Sequence, residues 1–284
     1  MTANEILAQV RELPVVSETA RKLAVQLNQP NLHREELVDT VRRDSVLTAK
    51  LLRVCNSAGC GVREPVDSVD QALLILGDNA IFRIVCAIGF GGALGMTASD
   101  CDVEANDLWT HSLSTGVGSE YLAEVESYGG FLPSAAFTAG LLHDIGKTVI
   151  NKVLTQKTRA EIRNRISDES LSRHAAERAV LGADHSEVGA CLLQRWSLPE
   201  SIVEAVANHH CPVTKPTIQL SAVVYLANCA AVVPDDISPG WEDRLAQANK
   251  ASAEALGMDV KKVEQIVSSI RNVMQTLPQF KAAA

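Results

Sequence analysis

Apolar residues recur along this chain at the spacing of one helix face, and this periodicity limits the fold more than any other feature of the sequence. The pattern is clearest at two sets of positions: Ala20, Leu23, Ala24 and Leu27, then Val263, Ile266, Val267 and Ile270. Few stretches alternate between apolar and polar residues at period two, as a half-buried strand would. We therefore predict an all-α protein without a substantial sheet.

Polar residues mark where several of these helices begin. Three pairs have the spacing of an N-cap residue and its reciprocal partner: Ser68 with Gln71, Asp184 with Glu187, and Ser197 with Glu200. The second pair places His185 in a first helical turn, where the positive helix end disfavours imidazolium, so we expect His185 to be neutral and available as a ligand. Residues 149–166 are predicted to form a single helix.

Charge and cysteine usage restrict the class of protein. The 284-residue chain carries a formal net charge of -8 and has a sequence pI of about 5.4. It has no block of Lys or Arg, so we expect neither nucleic acid nor an anionic membrane as a partner. The seven cysteines form no CxxC pair, and no basic-then-apolar signal region starts the chain. These features predict a reduced, cytoplasmic protein.

The most informative motif ends an apolar helical run, where His143 and Asp144 stand side by side. Adjacent His and Asp offer one neutral nitrogen and one anionic oxygen ligand, a pair suited to a divalent first-row metal. Gly146 lets the backbone turn, so that Lys147 can face the same site. A ligand pair of this kind indicates a metal site only if partners are found elsewhere in the chain.

Histidines cluster in the second half of the chain and could be those partners. Five of the seven fall at or near predicted helical segments there: His111, His143, His185, His209 and His210. The remaining two, His33 and His174, lie outside this set. Together with Asp144, the pattern favours one shared site over five separate packed or surface histidines.

At these motifs the chain resembles the HD superfamily of metal-dependent phosphohydrolases, and within it the HDOD group, the HD-related output domains. The HD likeness lies in five motifs: Trp109-x-His111-Ser112, Gly140-Leu141-Leu142-His143-Asp144-Ile145-Gly146-Lys147, His185-Ser186-Glu187-Val188-Gly189, Trp196-Ser197-Leu198-Pro199 and His209-His210. The HDOD likeness lies in the first half: Leu13-Pro14, Asp44 with Leu47, Leu51 and Leu52, Asn56-Ser57, Pro65-x-x-Ser68, Ala72 and Leu76-Gly77.

The resemblance implies an HD-domain-like helical bundle at residues 103–284, with an additional N-terminal helical subdomain at residues 1–97. Catalytic relatives that have an HD-GYP motif bind a metal cluster in which an aspartate bridges the metals, and the resemblance extends to these ligands. The residues of this chain that match its ligands are His111, His143, Asp144, His185, His209 and His210. Lys147 would match a lysine that contacts phosphate.

Two departures from the family pattern weaken the case for hydrolysis. The final metal-binding aspartate of active HD enzymes falls on Asn228, and Cys211-Pro212 replaces the Gly-Tyr-Pro motif after the paired histidines. With Asp144 as the only evident carboxylate, two divalent ions would keep too much uncompensated positive charge. We expect one divalent metal (Mn, Fe, Ni, Zn or Mg) or none, although Asp184 or Glu187 could supply a carboxylate instead of capping a helix.

Two functions follow from these observations. The first is a non-catalytic regulatory output module for signal transduction, with a degenerate HD metal site, that acts through signalling protein partners. The alternative is a metal-dependent phosphohydrolase acting on a nucleotide or a cyclic dinucleotide, with Lys147 contacting a small phosphorylated ligand. Asn228 and the missing Gly-Tyr-Pro motif favour the first function, whereas the retained histidines favour the second.

Overall fold

The computed structural model describes residues 1–14, 16–26, 34–57, 60, 62, 64–94, 103–126, 132–210, 219–231, 250 and 259–275. Every regular element in these ranges is a helix, so the prediction of an all-α fold is confirmed. The α-helices are α1 (Ala3–Gln9), α2 (Glu18–Gln26), α3 (Arg34–Arg42), α4 (Ser45–Cys55), α5 (Val69–Leu76), α6 (Asp78–Gly91), α7 (Val103–Glu126), α8 (Pro133–Leu142), α9 (Ile145–Val153), α10 (Gln156–Asp168), α11 (Arg173–Leu181), α12 (His185–Arg195), α13 (Glu200–Ala207), α14 (Gln219–Ala231) and α15 (Val260–Gln275). None of these helices combines the length and apolar character that crossing a bilayer requires.

Two clusters of buried apolar residues hold the helices together. The smaller cluster contains side chains from each of the helices α2, α3, α4, α5 and α6, such as Leu23, Leu51 and Val85. The larger cluster contains most of the later helices, and it also includes Ile6 of α1 and Phe90 of α6. As a result α1 packs against α9 and α12, far from it in sequence.

Two features named in the sequence cannot be compared with the structure. The predicted division between residues 97 and 103 falls on 95–102, and this segment lies outside the described residues. Cys211-Pro212, which replaces the Gly-Tyr-Pro motif, lies outside them as well.

Helices α7 and α8 approach closely because glycine stands at their contact. A Cβ atom on Gly140 would lie 2.7 Å from the carbonyl oxygen of Thr115 and 2.9 Å from the Cα atom of Gly116, both in the α7 backbone. A side chain at this position would therefore push the helices apart. The contact brings the end of α8, where His143 follows, against the part of α7 that carries His111.

One of the three predicted capping boxes is complete, and a second forms only its N-cap half, because Oε1 of Gln71 accepts from the backbone N–H of Asp67 at 2.9 Å and not from that of Ser68. The hydroxyl of Ser68 accepts a hydrogen bond from the backbone N–H of Gln71 at 3.2 Å, which starts α5. Asp184 and Glu187 form a complete capping box at the start of α12, each side chain accepting from the other residue's backbone N–H. This capping box fixes the position of His185 at the first turn of α12.

The third predicted cap, Ser197 with Glu200, is wrong. Ser197 has a φ of 56°, and its backbone N–H bonds to the carbonyl of Gln194 at the end of α12. Pro199 takes the N-cap position of α13 and offers no side-chain hydrogen bond. The chain reverses direction between two helices here, and Ser197 is used for that turn instead of for capping.

Residues 149–166, predicted as one helix, belong to two. Helix α9 ends at Val153, and Leu154 adopts an extended conformation. Thr155 then caps α10, because its hydroxyl accepts a hydrogen bond from the backbone N–H of Thr158 at 3.2 Å. Helix α11 has no counterpart among the predicted helices, and it proves important for the site.

Candidate metal centre

The six predicted ligands come from four separated segments and meet around Asp144. His111 lies within α7, while His143 and Asp144 form the junction between α8 and α9. His185 is the first residue of α12, and His209 and His210 directly follow α13. Asp144 is 1% exposed, so its carboxylate lies in the interior of the molecule.

The two oxygens of Asp144 face two different groups of histidines. Its Oδ1 atom lies 3.2 Å from His185 Nε2 and 3.7 Å from His209 Nε2. Its Oδ2 atom lies 3.3 Å from His143 Nε2 and 3.7 Å from His111 Nε2. Asp144 therefore belongs to two groups of possible ligand atoms. One group is Asp144 with His185, His209 and His210, and the other is Asp144 with His111 and His143. Within each group, all the atoms lie within 4.8 Å of one another.

Three imidazole rings are fixed by hydrogen bonds from their outer nitrogen. Nδ1 of His143 lies 2.7 Å from the Gly140 carbonyl, Nδ1 of His209 lies 2.7 Å from the Val206 carbonyl, and Nδ1 of His185 lies 2.5 Å from Oε2 of Glu177. Carbonyl oxygens only accept, so Nδ1 of the first two rings carries the proton. The Nε2 lone pairs of those rings are left facing the centre.

The inner nitrogens of the site converge on one another and on Asp144, whose Oδ2 atom accepts a hydrogen bond from the Lys147 ammonium. Nε2 of His111 lies 3.2 Å from Nε2 of His143, and Nε2 of His185 lies 2.7 Å from Nε2 of His210. Among the described residues, neither Asp144 Oδ1 nor His209 Nε2 has a hydrogen-bond partner, although both are buried. Because converging acceptors repel unless a cation lies between them, this donor set fits a divalent metal.

Burial keeps several of these imidazoles neutral. It lowers the pKa of His111 to about 3 and that of His209 to about 4, since a protonated ring would lose its hydration. Burial also lowers the pKa of His210. Neutral rings are the form that binds a metal.

Charge pairing acts in the opposite direction on two residues of the centre. Burial alone would raise the pKa of Asp144, but His143, Lys147 and hydrogen bonds hold it well below its usual value. For His185, the nearby carboxylates of Asp144 and Glu177 outweigh burial and raise its pKa. The pKa of His185 therefore shifts in the direction opposite to the one expected from the helix end.

Two further predicted residues, Lys147 and Asn228, also lie at the centre. The Lys147 ammonium is 2.5 Å from Oδ2 of Asp144, on the side of the carboxylate that faces His111 and His143. The side chain of Asn228, on α14, hydrogen-bonds to His111. An ammonium and a neutral amide thus border the same half of the site.

Gly146 contributes to the site in a different way from the predicted backbone turn. It lies inside the first turn of α9, where a Cβ atom would be 1.9 Å from the carbonyl oxygen of His185 and 2.7 Å from the backbone nitrogen of Gly189. Glycine is required because α9 and α12 touch backbone to backbone here. The contact places Asp144 and His185 side by side.

Asp184 and Glu187, considered as sources of a further carboxylate, are used elsewhere. Asp184 accepts from the backbone N–H groups of Ser186 and Glu187 and pairs with Arg178 at 2.7 Å. These contacts hold the pKa of Asp184 at about 2 against the effect of burial. Glu187 completes the capping box and lies 3.4 Å from Arg178. Both carboxylates stabilise α12.

Two residues next to the candidate ligands, both on α11, were not predicted from the sequence. Glu177 is 1% exposed and holds His185, as described above. His174, set apart from the cluster on its sequence position, stacks on His210 with ring centroids 4.4 Å apart. A buried glutamate eight residues before a ligand histidine was the signal available in the sequence, but it has meaning only once α11 and α12 are known to pack together.

Comparison with known proteins gives one family and several structures. The HDOD domain family model matches residues 13–212. An HDOD domain protein with unknown function from Geobacter sulfurreducens is 24% identical, with a TM-score of 0.74 over 96% of this chain and 95% of that one. A candidate phosphohydrolase from Shewanella amazonensis SB2B is 25% identical, with a TM-score of 0.71 over 98% of both chains.

Two other relatives match part of a longer chain. A candidate signal transduction protein from Marinobacter aquaeolei VT8 is 19% identical, with a TM-score of 0.75 over 99% of this chain and 64% of that one. An uncharacterised protein from Treponema pallidum (strain Nichols) is 23% identical over 208 residues, which are 73% of this chain. The match spans 39% of that curated relative's length.

Proposed function

Because the chain belongs to the HDOD family, we propose that it is a regulatory output module that binds one divalent metal at Asp144 and acts through protein contacts without hydrolysing a substrate. The observation that carries this proposal is the charge of the centre. Asp144 is the only carboxylate in either ligand group among the described residues, and Lys147 already pairs with its Oδ2 atom.

Charge balance favours a single metal in the half that contains Asp144 Oδ1. Three imidazoles, from His185, His209 and His210, join that oxygen as ligands, and an imidazole-rich set suits Zn, Fe or Ni better than Mn or Mg. A second divalent ion beside His111 would face the Lys147 ammonium and the neutral Asn228 amide. Two-metal hydrolysis uses anionic ligands to offset the charge of both ions, and this half does not supply them.

Protein contacts are the output that this proposal assigns to the module. The acidic balance of the chain disfavours nucleic acid, as described above. Signal transduction is the description of the Marinobacter protein, which has the same fold. A metal bound between α7, the α8–α9 junction, α12 and α13 would fix the arrangement of these helices, and a partner could then distinguish the bound from the free form.

Metal analysis and a hydrolysis assay test the proposal together. Protein expressed with added Mn, Fe, Ni or Zn is analysed by mass spectrometry, and is assayed against cyclic dinucleotides, nucleoside triphosphates and p-nitrophenyl phosphate. We expect about one equivalent of metal per chain, the number that the ligand charge supports. Turnover should not exceed that of an Asp144→Asn variant. Metal-dependent hydrolysis that the variant lacks would overturn the regulatory role.

A phosphohydrolase is the second candidate, and one observation favours it. Asp144 faces a ligand group with each oxygen, which is the arrangement that a bridging aspartate needs to hold two metals. Lys147 stands at the same place and could contact a phosphorylated substrate. This candidate requires about two metals per active chain, and loss of turnover in a His143→Ala variant.

A further inference from the structure

Helix α11 presents two side chains to the candidate metal centre, although it supplies none of the predicted ligands. His174 and Glu177 are three residues apart, so they lie on the same face of the helix. Each contacts a different ligand: His174 lies against His210, and Glu177 binds His185. The two ligands in turn belong to the half of the centre that faces Asp144 Oδ1.

Glu177 is bound on every side that the structure describes. Its Oε2 atom accepts from the backbone N–H of His185 at 3.0 Å and lies 2.5 Å from the Nδ1 atom of the same residue. Its Oε1 atom accepts from the Arg173 guanidinium at 3.0 Å. The side chain of Glu177 is only 1% exposed. A buried carboxylate lowers the stability of the fold unless it is paired, and these contacts provide the pairing.

Helix capping alone does not account for these contacts. Asp184 already accepts from the second and third N–H groups of α12 and completes the capping box with Glu187. The shortest contact of Glu177 is to the imidazole ring, and it fixes the plane and the tautomer of His185. In metal sites, a ligating histidine commonly donates its other ring nitrogen to a carboxylate in this way.

His174 acts on the neighbouring ligand through its ring face. The rings of His174 and His210 are inclined by only 17°, with centroids 4.4 Å apart, and are therefore stacked. On its inner side, His210 meets His185 at 2.7 Å and the ring of His209 at a centroid distance of 4.0 Å. His174 stacks on the same ring, and this contact limits rotation of His210.

We propose that Glu177 and His174 are the positioning residues of the metal centre, and that α11 thereby sets the metal affinity of the half formed by Asp144, His185, His209 and His210. The inference rests on the proposed metal-binding function. It adds that a displacement of α11, a helix outside the ligand set, would change how tightly the metal is held.

Cobalt(II) is the probe for the test, because its visible absorption reports coordination geometry directly. Affinity is measured by competition with a chelator for the full chain and for five variants: Glu177→Gln, Glu177→Ala, His174→Ala, His174→Phe and the control Glu161→Gln. Glu161 lies on α10 with a side chain that is 45% exposed, paired with Arg165 at 3.7 Å. Unfolding of each metal-free variant in urea separates folding defects from effects on binding.

We expect Glu177→Ala to weaken cobalt binding about 10- to 100-fold and to change the absorption spectrum, as loss of a supporting carboxylate does elsewhere. Glu177→Gln keeps an acceptor and the side-chain volume, so it should fall between Glu177→Ala and the unmodified protein. His174→Ala should weaken binding, and His174→Phe should restore it because a flat ring is retained. Unchanged affinity and spectrum in both Glu177 variants would overturn the inference.

A second measurement tests whether Glu177 positions the His185 ring even if the unmodified protein binds no cobalt, an outcome that would overturn the proposed function itself. The ring nitrogens of His185 are then observed by NMR in metal-free protein at alkaline pH. The inference predicts an Nδ1–H tautomer in the unmodified chain that is lost in Glu177→Ala. The same tautomer in both proteins would show that Glu177 does not position the ring.

Discussion

Asn228 is the residue at which the proposed one-metal centre can be tested. Its amide hydrogen-bonds to His111, at the position where the family resemblance places an aspartate. Asn228→Asp would add a negative charge to the half of the centre formed by His111, His143 and Asp144. We expect metal content to rise from about one equivalent towards about two, because the second ion would gain an anionic ligand.

Mass spectrometry of metal-replete protein measures this change. Asn151→Asp is the matched control, since Asn151 lies on α9 and its side chain faces Arg159 at 3.4 Å, not the centre. It should leave the metal content as it is. A content that stays near one equivalent in Asn228→Asp would show that something other than ligand charge, such as the Lys147 ammonium, keeps the second ion out.

The candidate ligands that converge on Asp144 could be selected from the sequence, whereas the residues that contact them from α11 could not. His143, Asp144, His185, His209 and His210 all stand at helix ends, where start and stop patterns can be recognised. Glu177 has no such mark. Its contact with His185 forms only because α11 folds back on α12, and local periodicity carries no information about that packing.

At the scale of helices, Gly146 sets the distance between α9 and α12. An alanine there would place its methyl group 1.9 Å from the carbonyl oxygen of His185. The obstructing atom belongs to the backbone, so the two helices must separate, and we expect Gly146→Ala to lower the free energy of unfolding by about 1–3 kcal/mol or more. Cobalt affinity should fall as well, because His185 moves away from Asp144.

Urea unfolding of the metal-free variant and the cobalt titration provide the two measurements. Gly92→Ala is the control, since nothing lies within 4 Å of a Cβ atom there and the residue has right-handed helical angles. Its stability should be unchanged or raised by about 0.4–1 kcal/mol, as the unfolded chain loses freedom. Equal stability of the two alanine variants would contradict the proposed backbone contact.

Helix α7 carries a buried acid, Glu120, that the candidate centre does not use. It is 3% exposed, its Oε2 atom lacks a hydrogen-bond partner among the described residues, and Arg83 of α6 lies 3.4 Å away. Burial raises the pKa of Glu120 to about 7, because the attraction of Arg83 is weaker than the lost hydration and Glu124 adds repulsion. The carboxyl group is therefore protonated in the folded protein at pH 5.

The raised pKa of Glu120 makes stability depend on pH. Between pH 4.5 and 7 the folded chain retains a proton that the unfolded chain has lost, so its contribution to stability decreases as the pH rises. We expect Glu120→Gln to be more stable than the unmodified protein by about 1–3 kcal/mol at pH 8, with the difference vanishing near pH 4.5.

Urea unfolding at both pH values measures the effect of Glu120→Gln. Glu161→Gln, on α10 with a side chain that is 45% exposed, is the control and should change stability by less than about 0.5 kcal/mol at either pH. If Glu120→Gln instead lowers stability at pH 8, the ion pair with Arg83 outweighs the cost of burial.

The all-α class and several helix starts could be predicted from the sequence. The boundaries between consecutive helices could not. Thr155 interrupts a pattern that reads as one helix, and Ser197 turns the chain where its spacing predicts a cap. In both cases the outcome depends on how the flanking helices pack, and a threonine or serine suits either role locally. At Asp184 the same spacing does form a box, in which the Asp184 side chain accepts from the Glu187 N–H and the Glu187 side chain accepts from the Asp184 N–H.

For the whole molecule, the two apolar clusters predict how far the effect of a metal extends. All six candidate ligands lie in or directly after helices of the larger cluster, whereas α3, α4 and α5 contribute to the smaller one. A metal at 100 times its dissociation constant stabilises every conformation that keeps the site by about 2.7 kcal/mol. Amide exchange that requires opening of the site should therefore slow about 100-fold.

We expect this slowing in α7, α8, α12 and α13, and much less in α3 to α5, whose opening leaves the centre intact. Helix α1 should follow α12, because Ile6 and Leu7 pack in the larger cluster although they precede the smaller one in sequence. Hydrogen exchange with and without zinc measures the effect, and Asp144→Asn, which should bind poorly, is the control. Equal slowing in α3 to α5 would show that these three helices do not open separately from the centre and that they respond to the metal together with the larger cluster.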